Sequence, residues 1–217
     1  MYKYIFFDLD GTLTDSGEGI IKSLEYAFTE LNLQVPDKTT LTKFIGPPLA
    51  VSFHDYMKFD DDTTDKAIKK YRERYEAKGI FENTPYDGIP QLLKELTNSG
   101  FRLAVATTKP EHMAIRVTDH YSLTQFFETV SGAISENDTK ESVIRRACER
   151  MNINECEWNQ ILMIGDRKFD IIGAHECNIK CCCVEYGFAP EGEFQQFGAD
   201  YIVKDVNKLK NLIFSLN

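Results

Sequence analysis

Short, strongly apolar runs punctuate the chain: Tyr4-Ile5-Phe6-Phe7, Leu103-Ala104-Val105-Ala106, Ile161-Leu162-Met163-Ile164, Cys181-Cys182-Cys183-Val184 and Tyr201-Ile202-Val203. These runs are apolar at consecutive positions, so each is predicted as a strand buried on both faces, as in a parallel sheet. Segments of helical periodicity lie between them, such as Ile89 to Leu96 and Glu141 to Met151. Strand–helix alternation of this kind predicts an α/β fold with a doubly wound, Rossmann-like parallel sheet.

One interval breaks the rhythm. From about Gly17 to Asn83 no convincing buried strand occurs. Ile20 to Leu31 and Thr64 to Tyr75 read as helices, and Phe44-Ile45-Gly46-Pro47-Pro48 reads as a turn between helices. The expected organisation is therefore an α/β core of residues 1–15 and 84–217, interrupted by a small α-helical domain of residues 16–83. No internal repeat or low-complexity segment is apparent.

Composition adds bounds to this picture. Of 217 residues, 42% are hydrophobic and 27% charged, ordinary values for a globular protein. A formal net charge of −9 argues against a nucleic-acid polymer or a membrane surface as partner, since both need a basic face. It is compatible with a small anionic metabolite held by a few cations and a metal. The apolar run Tyr4–Phe7 is too short for a signal peptide, and no window approaches the ~18 apolar residues of a membrane span. A cytoplasmic protein is expected. The six cysteines lack paired metal-ligand spacing and read as small buried hydrophobes. The four histidines lie far apart, and Gly17-Glu18-Gly19 lacks the third glycine of a dinucleotide loop.

Chemistry gathers at the carboxyl ends of the predicted strands, where ligands bind in open parallel sheets. The first strand runs into Asp8-Leu9-Asp10-Gly11-Thr12, the next into Thr107-Thr108-Lys109-Pro110, and another into Gly165-Asp166 with Asp170 following. If the first strand continues, Asp8 and Asp10 lie about 6.6 Å apart on one face with Leu9 behind them. Two such carboxylates repel unless a cation or a shared proton offsets them, and hard oxygen donors suit Mg2+. Asp166 would complete the site, and Asp170 would orient ligands from one helical turn further on. Each motif alone could be an ordinary turn; their convergence on one sheet edge is the stronger signal. Lys140 stays open at this level: a lysine at a helix start is usually a solvated cation, but it could turn inward to a phosphate and Asp8.

Taken together, these residues resemble the haloacid dehalogenase superfamily of phosphotransferases along the whole chain. Asp8-Leu9-Asp10-Gly11-Thr12-Leu13-Thr14-Asp15 looks like its first motif, Thr107 its second, Lys140 its third, and Gly165-Asp166 with Asp170 its fourth. The helical insertion looks like the family's C1 cap. Phe44-Ile45-Gly46-Pro47-Pro48-Leu49 and Ala106-Thr107-Thr108-Lys109-Pro110 resemble the phosphoglycolate phosphatase and 5′-nucleotidase-like branch.

The resemblance implies an enzyme, a Mg2+-dependent phosphatase of small phosphorylated metabolites, acting as a monomer or homodimer. Asp8 would attack phosphorus, and Asp10 would serve as general acid and then base. Asp8, the Asp10 backbone carbonyl and Asp166 would ligate Mg2+, with Asp170 behind them. Gly11, Thr107, Thr108 and Lys140 would hold the phosphoryl oxygens. Cap residues Phe44, Ile45 and Pro47 would line the entrance. Family members that break carbon–halogen or carbon–phosphorus bonds lack an aspartate at the Asp10 position. A β-phosphoglucomutase-like isomerase is the main alternative, but Leu49 stands where such mutases carry an arginine. A non-catalytic binding protein on the same fold is the other.

Overall fold

The computed structural model describes residues 1–135 and 137–216; residue 136, in the polar run before Lys140, lies outside them. The chain divides into two compact units, Met1–Asp15 with Pro85–Asn217, and Ser16–Thr84.

The first unit begins with β1 (Tyr4–Phe7), and the two-residue strand β2 (Thr14–Asp15) follows as the chain leaves it. The second unit holds α1 (Gly17–Glu30), α2 (Lys38–Thr42), α3 (Leu49–Met57) and α4 (Asp61–Ala77). Asp37 and Asp60 cap α2 and α4, accepting the N–H of Thr40 at 2.9 Å and of Thr63 at 2.8 Å. Its interior is aromatic: Phe53 stacks on Phe59 with ring centres 5.7 Å apart, and meets Phe44 edge-on at 5.0 Å. Phe44 and Ile45 are therefore core residues of this unit, 2% and 1% exposed, and not the entrance lining that the sequence led us to expect. The turn between helices expected at 44–48 does fall between α2 and α3.

The two-residue strand β3 (Thr84–Pro85) brings the chain back. Next come α5 (Ile89–Asn98), β4 (Arg102–Pro110), α6 (Glu111–His120), β5 (Thr129–Ala133) and α7 (Lys140–Arg150). The chain ends with β6 (Ile161–Gly165), α8 (Lys168–Glu176), β7 (Lys180–Val184), α9 (Glu193–Phe197), β8 (Tyr201–Val203) and α10 (Val206–Ser215).

Six strands form one parallel sheet in the order β5-β4-β1-β6-β7-β8. β1 lies at its centre, with Phe7 opposite Val105 on one side and Ile164 on the other. On one face, Phe6, Ala104, Ala106, Met163, Cys181 and Cys183 pack with Val143 and Ile144 of α7 and Ile171 and Ala174 of α8. This burial on both faces is why those strands show continuous apolar runs. β5 was not anticipated. Its centre is Ser131 and Gly132, so it lacks an apolar run even though these positions are buried. All six cysteines are free; five are buried and Cys156 is exposed.

Candidate active site

β1 ends at Phe7, so Asp8 and Asp10 lie in the loop beyond it instead of continuing the strand. The sheet still holds the first of them, because the Asp8 N–H donates to the Ile164 carbonyl at 2.9 Å. The loop is wound around one acceptor: the amides of Thr12, Leu13 and Thr14 all point to the Leu9 carbonyl, at 3.3, 2.9 and 3.0 Å. Fully buried Leu9 anchors this turn from below.

Asp8 Oδ1 accepts the Leu9 N–H at 2.8 Å and faces Lys140 Nζ at 2.9 Å. Burial pushes the Asp8 carboxyl up to about 6, against the opposing pull of Lys140. Lys140 is the first residue of α7, and Thr139 caps that helix. A cation there opposes the helix dipole. Three oxygens offset this: Asp8 and Asp170 Oδ1 as ion-pair partners, each at 2.9 Å, and the Ala106 carbonyl, which accepts a hydrogen bond at 2.9 Å. At 5% exposure Lys140 is not a solvated cation. Burial works against its charge, but Asp170 and Asp8 together hold its pKa above the ordinary lysine value.

Asp166 follows β6 and is fully buried. Phe188 donates its backbone N–H to Oδ2 at 2.8 Å, and the Thr12 hydroxyl meets Oδ1 at 3.3 Å. Asp170 Oδ2 accepts the amides of Asp166 at 3.1 Å and Arg167 at 3.0 Å, fixing the turn into α8. Burial first, then Asp170 and Asp8, raise the Asp166 carboxyl well above the ordinary aspartate range.

Two glycines close the backbone around Asp166. Gly11 has φ +82°, and a Cβ on it would fall 2.1 Å from Asp166 Oδ2. A Cβ on Gly187 would fall 2.3 Å from the Asp166 Cβ. Thr107 lies on β4, where its hydroxyl accepts the Lys109 N–H at 3.3 Å and helps to draw the Asp8 carboxyl down against the effect of burial. Thr108 follows, half-buried.

Asp8, Asp166 and Asp170 each bring a carboxylate oxygen within 4.8 Å of the others. Lys140 pairs with two of these three carboxylates, Asp8 and Asp170, and leaves Asp166 without a cation beside it among these contacts. Hard oxygen donors with uncompensated charge fit a divalent cation of the Mg2+ type. The Asp10 carboxylate stands outside this group.

That separation exposes a residue that the spacing arguments missed. Asp10 is paired with Lys109, whose Nζ lies 2.9 Å from Oδ2 and 3.1 Å from Oδ1. The two site carboxylates therefore do not depend on a common cation; each has its own lysine. Pairing along β4 shifts register between Ala106 and Pro110, within which Lys109 lies. Its only sequence signal was a lysine at a strand's carboxyl end. A second pair also went unread: Arg167 Nε meets Glu193 Oε1 at 2.9 Å, both side chains 8% exposed.

Comparison with known proteins finds relatives that match most of the chain. The chain is 36% identical to a 5′-nucleotidase of Pseudomonas aeruginosa over 216 residues, covering 99% of this chain and 96% of that one. It is 35% identical over 190 residues to the tyrosine-protein kinase PtkA of Mycobacterium tuberculosis, covering 86% of this chain and 63% of that one. The crystal structure of a predicted phosphatase from Clostridium acetobutylicum superposes with a TM-score of 0.91 at 44% identity, covering 99% of both chains. A family model described as Haloacid dehalogenase-like hydrolase matches residues 5–184, and the chain belongs to that family.

Proposed function

We propose that this protein is a Mg2+-dependent phosphatase of a small phosphorylated metabolite, working through a phosphoryl group carried on Asp8. The observation that carries the reading is the Lys140 ammonium, 2.9 Å from both Asp8 and Asp170, with Asp166 closing the carboxylate cluster. This leaves Asp8 a half-buried, oriented carboxylate beside a site for a cation.

Asp8 attacks phosphorus in line while Asp10 gives its proton to the departing ester oxygen, releasing an alcohol. Water then attacks the phosphoryl group on Asp8, gives a proton to Asp10, and phosphate leaves. Lys140 and Thr107 bear on the transferred group's oxygens, where negative charge must be stabilised. Thr108 and the loop amides around Gly11 complete that cradle. Asp8, Asp166 and the Asp10 backbone carbonyl would hold Mg2+, with Asp170 orienting the shell. When bound, the ion supplies positive charge against phosphoryl oxygens and carboxylates alike.

Purified protein with Mg2+ should release phosphate from p-nitrophenyl phosphate, and Asp8→Asn should abolish release. Equal rates from the two proteins would exclude Asp8 as nucleophile. A screen spanning nucleoside monophosphates and phosphoglycolate identifies the preferred class, given the resemblance to both branches and the Pseudomonas relative's name. Leu49, at the start of α3, disfavours the mutase alternative. With β-glucose 1-phosphate the product should be free phosphate and no glucose 6-phosphate.

A further inference from the structure

We propose that Lys109 is a positioning residue that aims the acidic proton of Asp10 at the leaving-group oxygen. The inference rests on the phosphatase reading above and adds a residue to it. The Lys109 ammonium contacts both Asp10 oxygens, at 2.9 and 3.1 Å, and its side chain is 4% exposed against 20% for Asp10. The lysine approaches from the protein side and leaves Asp10 the more open partner. Among the described residues, Lys109 is the hydrogen-bond partner of this carboxylate.

An ammonium has three donors and no acceptor. When Asp10 is protonated, its O–H cannot donate to Lys109, so the lysine holds the carbonyl oxygen of the acid and the O–H must point elsewhere. The open side of Asp10 is where an ester oxygen can receive it. After that proton moves to the leaving oxygen, both Asp10 oxygens are acceptors again and can engage Lys109 together, as they do in the structure. Asp10 is then the base that takes a proton from water in the second half-reaction. Lys109 changes no bond itself; it restricts the directions in which Asp10 can act.

A leaving-group comparison tests this. An alkoxide needs a proton to depart, whereas a nitrophenolate departs without one, and kcat/KM reports the first phosphoryl transfer alone. Lys109→Met should lose about 100-fold in kcat/KM on glycerol 3-phosphate and under about 5-fold on p-nitrophenyl phosphate, the pattern of a lost general acid. Lys109→Gln offers the acid an acceptor to turn towards, so it should show the same selective loss, and it carries the test if the Met variant does not fold. Equal losses on both substrates, as from impaired phosphate binding or general misfolding, overturn the proposal, as does full activity on both. Asp10→Asn is the control. If Asp10→Asn also loses both substrates equally, the acid role of Asp10 fails; if it discriminates and the Lys109 variants do not, the role of Lys109 fails.

Discussion

Lys140 and Asp170 occupy the first turns of different helices, α7 and α8, yet Nζ and Oδ1 stand 2.9 Å apart with both side chains almost wholly buried. The contact ties two helix starts together at the sheet's carboxyl edge and presents the same ammonium to Asp8. Removing one partner leaves the others as buried, uncompensated charge, which costs more than the pair itself contributes.

Lys140→Met should therefore destabilise the protein by about 3–5 kcal/mol and abolish phosphate release. The double variant Lys140→Met/Asp170→Asn should regain part of the stability and none of the activity. Chemical denaturation alongside a phosphate-release assay separates the two effects. Wild-type stability in the single variant would show that the contact is dispensable for folding.

Gly11→Ala should damage metal binding more than folding. The new Cβ would fall 2.1 Å from Asp166 Oδ2, and the φ of +82° costs a non-glycine residue about 1–2 kcal/mol. Asp166 must swing away to make room. A rise of about tenfold or more in the Mg2+ concentration for half-maximal activity is expected, in line with losses from disturbed metal shells. An unchanged Mg2+ requirement would mean that Asp166 does not govern metal affinity.

Mg2+ should stabilise the protein strongly near pH 7.5 and weakly near pH 5, roughly the limits at which proton and metal exchange places on these carboxylates. The sign follows from Asp8, whose carboxyl rises from 3.8 to about 6 on burial, with Asp166 shifted the same way. A raised acid favours the folded state below its unfolded value and loses that advantage as pH climbs through its folded value. Metal-free stability should thus decline across that interval, while the ion, which binds only the deprotonated groups, increasingly restores it. Thermal unfolding with and without Mg2+ at the two pH values reads this directly. A shift independent of pH would contradict it.

Glu193→Ala should cost about 3–5 kcal/mol, because Arg167 would remain buried without its partner. Glu193 Oε1 also accepts the Lys168 amide at 2.9 Å, so the start of α8 loosens as well. Since Asp170 lies in that first turn, activity should fall alongside stability. Equilibrium unfolding with urea gives the magnitude, and a change below about 1 kcal/mol would place this pair among weak surface bridges.

Much of the core was legible because burial on both faces writes a local record. β1, β4, β6 and β7 each announce themselves as apolar runs in this way, and the carboxylates after β1 and β6 follow from strand ends alone; β8 shows an apolar run too, although its Ile202 is exposed. β5 did not, since small and polar Ser131 and Gly132 occupy its buried centre and leave no apolar run. The aromatic pattern around Phe44 shows the converse limit. Its hydrophobicity was evident, but whether it lined an opening or filled a core depended on Phe53 and Tyr56 packing against it.

By itself the sequence determined that Asp8, Asp10, Thr107, Asp166 and Asp170 would arrive at one edge of a parallel sheet. Only the tertiary structure decided which charge answers which. It turned Lys140 inward to Asp8 and Asp170, paired Asp10 with a lysine 99 residues away, and closed Asp166 with an amide 22 residues on. Periodicity reports whether a position is buried, which neighbours along the chain largely settle. Charge pairing depends on separations of about 3 Å between distant segments, set by strand register and helix placement, and no local pattern encodes them.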